Sequence, residues 1–200
     1  MNTQSHVLMG AFFFGRKVPG TAWAAASGGL LPDLPMLIIV GFLRATGHDF
    51  EEIFGRLYWS GWWQICNAIG HNIILWTALL ALALYAKHRQ TLISLSNANL
   101  MLAFSAAALL HSWVDFFVHR EDAHMHFWPL TNWKFVSPVS YYDSAHFGGP
   151  FSLFEAAIGI FMAVSLFRTF KSRPVRAALA LCIAMYAAIP LFFFYNMSHG

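Results

Sequence analysis

Apolar residues run through this chain in long blocks separated by short polar stretches. Four blocks, residues 68–86, 98–118, 151–168 and 176–195, approach the roughly 20 residues that a helix needs to cross a hydrocarbon core. A fifth, residues 21–43, is interrupted by Leu31-Pro32-Asp33-Leu34-Pro35. A shorter block, residues 5–15, covers only about half a core and cannot cross alone. The pattern predicts an all-α, polytopic helical membrane protein of about five spans plus a short N-terminal half-span helix. No repeat or low-complexity linker divides it, so residues 1–200 read as one integral membrane domain. Within it, residues 1–160 carry the polar core and residues 151–195 a C-terminal hairpin.

Composition strengthens the pattern. Hydrophobic residues make up 58% of the chain and charged residues only 10%, where a soluble domain carries about a quarter charged. Mean hydropathy is +0.54. Cys66 and Cys182 are far apart in apolar contexts, which argues against a disulfide framework or a zinc knuckle. A net charge of +3 is too small for a basic nucleic-acid face. The opening residues have no basic segment before the first apolar block, so they do not read as a cleaved signal peptide.

Charge also orients the spans. Arg16 and Lys17, Lys87 and Arg89, and Arg168, Lys171, Arg173 and Arg176 fall in three loops on one side if the spans alternate. These are eight of the twelve basic residues, and no acidic residue lies among them. The positive-inside rule makes that side cytoplasmic. Segments 44–67 and 119–150 then face the periplasm of a bacterial inner membrane. Trp59, Trp62, Trp63, Trp128 and Trp133 suit an aromatic belt there.

Residues 111–130 hold four histidines, two aspartates and a glutamate directly after an apolar block. Ionisable groups within apolar spans are costly and usually mark function. Counted from the basic end of each segment, His6, Asp33, His71, His111, Asp115 and Glu155 lie roughly 15 to 26 Å deep at 1.5 Å per residue. Separate segments therefore place polar groups in one layer. His111 and Asp115 are four apart and share a helix face. That spacing suits two ligands of one metal, or a ligand and a bridging carboxylate. Mixed imidazole and carboxylate donors favour zinc, manganese or iron.

Plainer roles stand beside these. Asp33 suits a helix cap before Leu34, and His6 an interfacial position. His71 and Asn72 suit a hydrogen-bonded core pair. Asp115 suits an orienting partner of His111, and Glu155 a hydrated helix start. His119, His124 and His126 suit a polar loop.

The stretches "SHVLMGAFF", "GGLLPDLPML", "GHNIILW", "LLHSWVDFFVHREDAHMHFWPLTNWKFVSPVSYYD" and "FSLFE" resemble the YdjM-type inner-membrane metal-dependent hydrolases. The resemblance runs through most of residues 1–160. It implies a hydrolytic metal site on His6, Asp33, His71, His111 and Asp115. The order of groups is more distantly similar to zinc-dependent phospholipase C and the single-strand-specific zinc nucleases. By that likeness one of His119, His124 and His126 stands for the next ligand, and His146 and Glu155 for the last two. Those enzymes close with a one-turn HxxxE, whereas His146 and Glu155 are nine apart here. The free N-terminal residue that they use as a ligand is not evident in this sequence.

The expected function is metal-assisted hydrolysis of a phosphate ester on a lipid or lipid-linked molecule. The expected ligands are His6, Asp33, His71, His111, Asp115, His124, His126 and His146. Asp115 is expected to bridge to a second metal, and Glu155 to serve as base. Arg120 and Lys134 at the rim are expected to hold phosphate. The expected partners are the bilayer and a lipid or phosphorylated small molecule. Two readings of other classes use the same layer: a transporter or binding protein, and a haem protein with His71 and His111 as axial ligands.

Overall fold

A computed structural model describes residues 1–15, 20–89 and 94–199, the last eleven of these by backbone alone. Among the described residues there are helices and turns and no strand. The helices are α1 (Thr3–Phe14), α2 (Thr21–Leu30), α3 (Leu34–Ala45), α4 (Phe50–Gly55), α5 (Gly61–Gly70), α6 (Ile73–Arg89), α7 (Leu95–Val118), α8 (Gly148–Thr169) and α9 (Arg173–His199). Single 3-10 turns lie at Leu57–Trp59 and Ser144–His146.

Among the described residues, three helical stretches are long and apolar enough to cross a membrane: Gly61–Arg89, Leu95–Val118 and Gly148–Thr169. A fourth arises if α2 and α3 count as one span bent by 61°. That is fewer than the five expected. The block at 21–43 is two helices because Pro32 and Pro35 interrupt the backbone ladder around Asp33. The block at 176–195 lies in α9, whose side chains from residue 189 onward are outside the described residues. Arg16 and Lys17, used above for orientation, also lie outside them.

The first crossing stretch is itself broken. Asn72 Oδ1 accepts from the Leu75 N–H at 2.9 Å and caps α6, so α5 ends at Gly70 and His71 sits at the break. Asp33 occupies the corresponding break between α2 and α3. Non-helical backbone at membrane depth is tolerated where protein buries it, and it commonly marks a binding site.

The short helix α1 lies inside the bundle. It packs against α2, α7 and α8, while α7 also packs on α2 and α6, and α8 on α9. Leu8 and Met9 of α1 join Val118, Met162 and Leu166 in the main apolar core. Contact with α2 is close enough to require glycine. A Cβ at Gly28 would collide with the Phe104 carbonyl of α7, and one at Gly29 with the His6 carbonyl of α1. Small residues at helix crossings are what allows such approach.

The outer surface is apolar in the way a lipid-facing surface is. Trp23, Phe42 and Phe161 are each more than 60% exposed. The buried set instead includes His6, Asp33, His71, His111, Asp115 and Glu155. Beside α3, the small helix α4 presents Phe50 and Phe54 outward and Ile53 inward. Trp59, Trp62 and Trp133 are exposed as an aromatic belt requires. Trp63 departs from that expectation: it is fully buried with Ile53 and Tyr58 in a satellite core.

Candidate metal centre

Helix breaks and one helix face bring the site together. Asp33 and His71 come from the two breaks, and His111 and Asp115 from one face of α7. All four are buried, and each offers a ligand atom within 4.8 Å of the others. His71 Nε2 lies 3.4 Å from Asp33 Oδ1 and 3.3 Å from Asp115 Oδ2. His111 Nε2 lies 2.9 Å from Asp115 Oδ2 and 3.6 Å from Asp33 Oδ1.

The far sides of the rings fix which nitrogens face inward. His111 Nδ1 donates to the Gly29 carbonyl at 2.7 Å, and His71 Nδ1 to the Asn67 carbonyl at 3.0 Å. Thr3 Oγ1 donates to Asp33 Oδ2 at 2.6 Å. Backbone carbonyls and hydroxyls that orient first ligands in this way are typical of metal sites. The inward atoms His71 Nε2, His111 Nε2 and Asp115 Oδ2 are buried, and none has a hydrogen-bond partner. Their close approaches lack hydrogen-bond alignment, as expected of atoms that face a shared point rather than each other. Buried polar atoms left unpaired are expensive. A divalent cation among them removes that cost, so the residues present fit a metal ion.

A second buried group, Asp115, His119 and His124, satisfies the same distance. Asp115 belongs to both groups. Its Oδ1 accepts from His6 Nε2 at 2.9 Å and from the Met1 nitrogen at 2.8 Å, and it lies 3.3 Å from His119 Nε2. The N-terminal nitrogen, not evident as a site group from the sequence, thus lies in the site at Met1, also 3.0 Å from His119 Nε2. The His6 ring stacks on His111 with centroids 3.5 Å apart. Burial, with His71 and His119 alongside, holds the His124 imidazole well below its ordinary range. Burial likewise lowers His126 to about 4. Both are therefore neutral at pH 7, the form in which imidazole ligates metals.

The remaining expected residues lie elsewhere. His126 donates through Nδ1 to the His71 carbonyl at 2.8 Å, so it braces the break that carries His71. His146 joins Asp143 and Glu121 in a partly exposed group, with Nδ1 2.6 Å from Asp143 Oδ2. Glu155 is held by the start of α1: its carboxylate accepts from the Asn2 N–H at 2.9 Å, Asn2 Nδ2 at 3.0 Å and Ser5 Oγ at 2.5 Å. Ser5 also meets the Tyr186 hydroxyl. This anchors the turn bearing Met1, Thr3 and His6 to α8. Asp33 does stand before α3, but its side chain makes no capping bond.

By sequence His119 is only one of three alternatives for the next ligand, and Asp122 has no expected role. His119 continues the face of His111 and Asp115, since its N–H still bonds to the Asp115 carbonyl at 3.1 Å. The spacing 111, 115, 119 was a visible signal, obscured by assigning His119 to the loop. Asp122 Oδ2 lies 2.9 Å from His119 Nδ1, one turn on, as a carboxylate behind a ligand histidine does.

The chain matches no protein-family model, no curated protein and no solved structure.

Proposed function

We propose that this protein is a membrane-embedded hydrolase that uses zinc to cleave a phosphate ester of a lipid or lipid-linked molecule. The observation that carries this reading is the Asp115 carboxylate shared by two buried ligand groups. A carboxylate shared by two ligand groups would place two metals close together, as two-metal phosphoesterases hold theirs. Asp33, His71, His111 and Asp115 would hold one zinc, and Asp115, His119 and His124 another. Zinc in such a site supplies Lewis acidity, which makes water a nucleophile near neutral pH. His6 and the Met1 nitrogen hold the bridging carboxylate by hydrogen bonds, and the Gly29 and Asn67 carbonyls keep the His111 and His71 Nε2 atoms facing inward. The motifs quoted above add the resemblance to YdjM-type hydrolases.

Lipid linkage is supported by position. A cavity of about 130 Å³ reaches the ligand groups, and Met36 of α3 and Tyr58 also line it. Met36 packs in one cluster with Tyr58, and the Tyr58 ring meets the exposed Phe54 and Trp59, the last a residue type suited to the headgroup level. Purified protein is expected to contain about two zinc ions per chain and to hydrolyse a phosphomonoester, a phosphodiester or a phospholipid. A chelator should remove the activity and added zinc should restore it. Bound zinc with no turnover on any of these substrates would leave a binding or transport protein, and a Soret band without zinc a haem protein.

The site is further proposed to open to the periplasmic side of a bacterial inner membrane. Support comes from Lys87 and Arg89 at the end of α6, and from Arg168 to Arg176 around the α8–α9 turn, all at helix ends remote from His71 and Glu155. In a background lacking Cys66 and Cys182, Glu121→Cys should react with a membrane-impermeant thiol reagent in intact spheroplasts, and Arg168→Cys should not. The reverse pattern would invert the orientation.

A further inference from the structure

The cavity at the metal centre has a polar lining that metal ligation does not use. Asn67 is buried, and its Nδ2 has no hydrogen-bond partner although the residue lines the cavity. Its backbone carbonyl already serves His71, four residues on, so the side chain is placed in register with a ligand. Tyr58 and Tyr141 supply hydroxyl-bearing rings to the same lining. The Tyr58 hydroxyl adjoins Asn67, and the Tyr141 ring lies 4.8 Å from that of His119. Each phenol carries an O–H able to donate a hydrogen bond.

The expected cationic clamp is absent from this lining. Among the described residues no lysine or arginine lines the cavity. Arg120 donates to the Ser137 carbonyl at 3.0 Å, and Lys134 to Gln64 Oε1 at 2.7 Å. Asp122 does line it, and its Oδ1 has no hydrogen-bond partner. The N-terminal ammonium of Met1 also lines it but is paired with Asp115 Oδ1 at 2.8 Å, so an anion entering without metal present meets no unpaired lysine, arginine or ammonium. Its charge has to be balanced by the metals, while the neutral donors orient it.

We propose that Asn67, with Tyr58 and Tyr141, holds the phosphoryl oxygens of the substrate by neutral hydrogen bonds, so that the site takes a single phosphoryl group whose charge is met by the metals alone. This rests on the hydrolase reading above. The small cavity fits one such head, with the rest of the molecule extending past Met36 and Tyr58. An unpaired buried amide aimed at a charged oxygen forms the stronger class of hydrogen bond, so its loss is expected to weaken binding about 10-fold or more.

Inorganic phosphate is the probe. Its binding to zinc-loaded, detergent-solubilised protein is measured by calorimetry, with zinc content determined for every sample. Wild-type protein should bind phosphate only when zinc is present. Asn67→Ala and Tyr58→Phe should each bind it about 10-fold more weakly at unchanged zinc content. Tyr58→Phe removes a single oxygen and keeps the test available should Asn67→Ala fail to fold. Equal phosphate affinity in wild type and variants would overturn the donor assignment and leave the hydrolase reading intact. Zinc-loaded wild type that binds no phosphate would overturn both. Binding to the zinc-free protein would overturn the claim that the metals alone balance the charge.

Discussion

On the two-zinc hydrolase proposal, Asp115→Asn is expected to empty both metal positions and to lower turnover by about a hundred- to a thousand-fold, the scale on which loss of one preorganised polar group impairs a catalytic site. Both buried ligand groups contain this carboxylate. The asparagine keeps the side chain's size and its place on α7, but one oxygen becomes an amide nitrogen that donates rather than ligates. The lost negative charge also leaves Asp33 as the remaining carboxylate among His71 and His111. Asp115→Ala should go further and destabilise the fold. It orphans His6 Nε2, at about 1–3 kcal/mol for a buried group left unsatisfied, and leaves the Met1 nitrogen with His119 Nε2 as its partner. Elemental analysis, turnover and thermal melting of the two variants separate the effects. Full zinc occupancy with undiminished turnover in Asp115→Asn would remove the basis of the two-metal reading.

Gly29→Ala should be nearly as damaging, although it adds one methyl group to a helix. The new Cβ would overlap the His6 carbonyl oxygen, and that obstacle is backbone, which no rotamer change can move aside. On the other side of α2, Gly28 is already against the Phe104 carbonyl, so α2 cannot retreat toward α7. α1 must shift instead, and His6 moves with it away from Asp115. The same step disturbs the Gly29 carbonyl that orients His111. Overpacking costs about 1–3 kcal/mol even where side chains can adjust, against a total stability of about 5–15 kcal/mol. A lowered melting temperature and lost zinc are expected together. Gly41→Ala on α3 is the control: its Cβ would meet nothing within 4 Å, and alanine is the better helix former. A Gly29→Ala protein that melts like wild type with full zinc would show that the α1–α2 contact yields easily.

The metal residues were legible in the sequence because helical rise is nearly constant. Counting from the basic ends placed His6, Asp33, His71, His111 and Asp115 at similar depth, and the structure does gather them. Glu155 satisfied the same depth criterion but faces the start of α1, since depth carries no information about rotation around the axis. The loop histidines were illegible for a different reason. Between residues 119 and 147 no periodicity fixes direction, so nothing in the spacing separated His124, in the second ligand group, from His126, tied to the His71 carbonyl. The cationic rim failed because charge alone does not show where a side chain points. Lys134 and Arg120 both find neutral acceptors away from the cavity. The span count departs from expectation at residues 21–43, which form a bent helix pair, and at the block 176–195, which runs beyond the described side chains.

The enclosure of α1 has a consequence for biosynthesis. Its contacts reach far along the chain: His6 meets Asp115, 109 residues later, and Asn2 meets Glu155, 153 residues later. During translation α1 emerges before any of these partners. It waits until α8 has been made before its N-terminal turn can dock. Closing so long a loop is slow compared with forming any single helix. The buried His and Asp cluster is therefore completed only after α8 has been made, and a nascent chain without α8 carries most of its residues in an open arrangement.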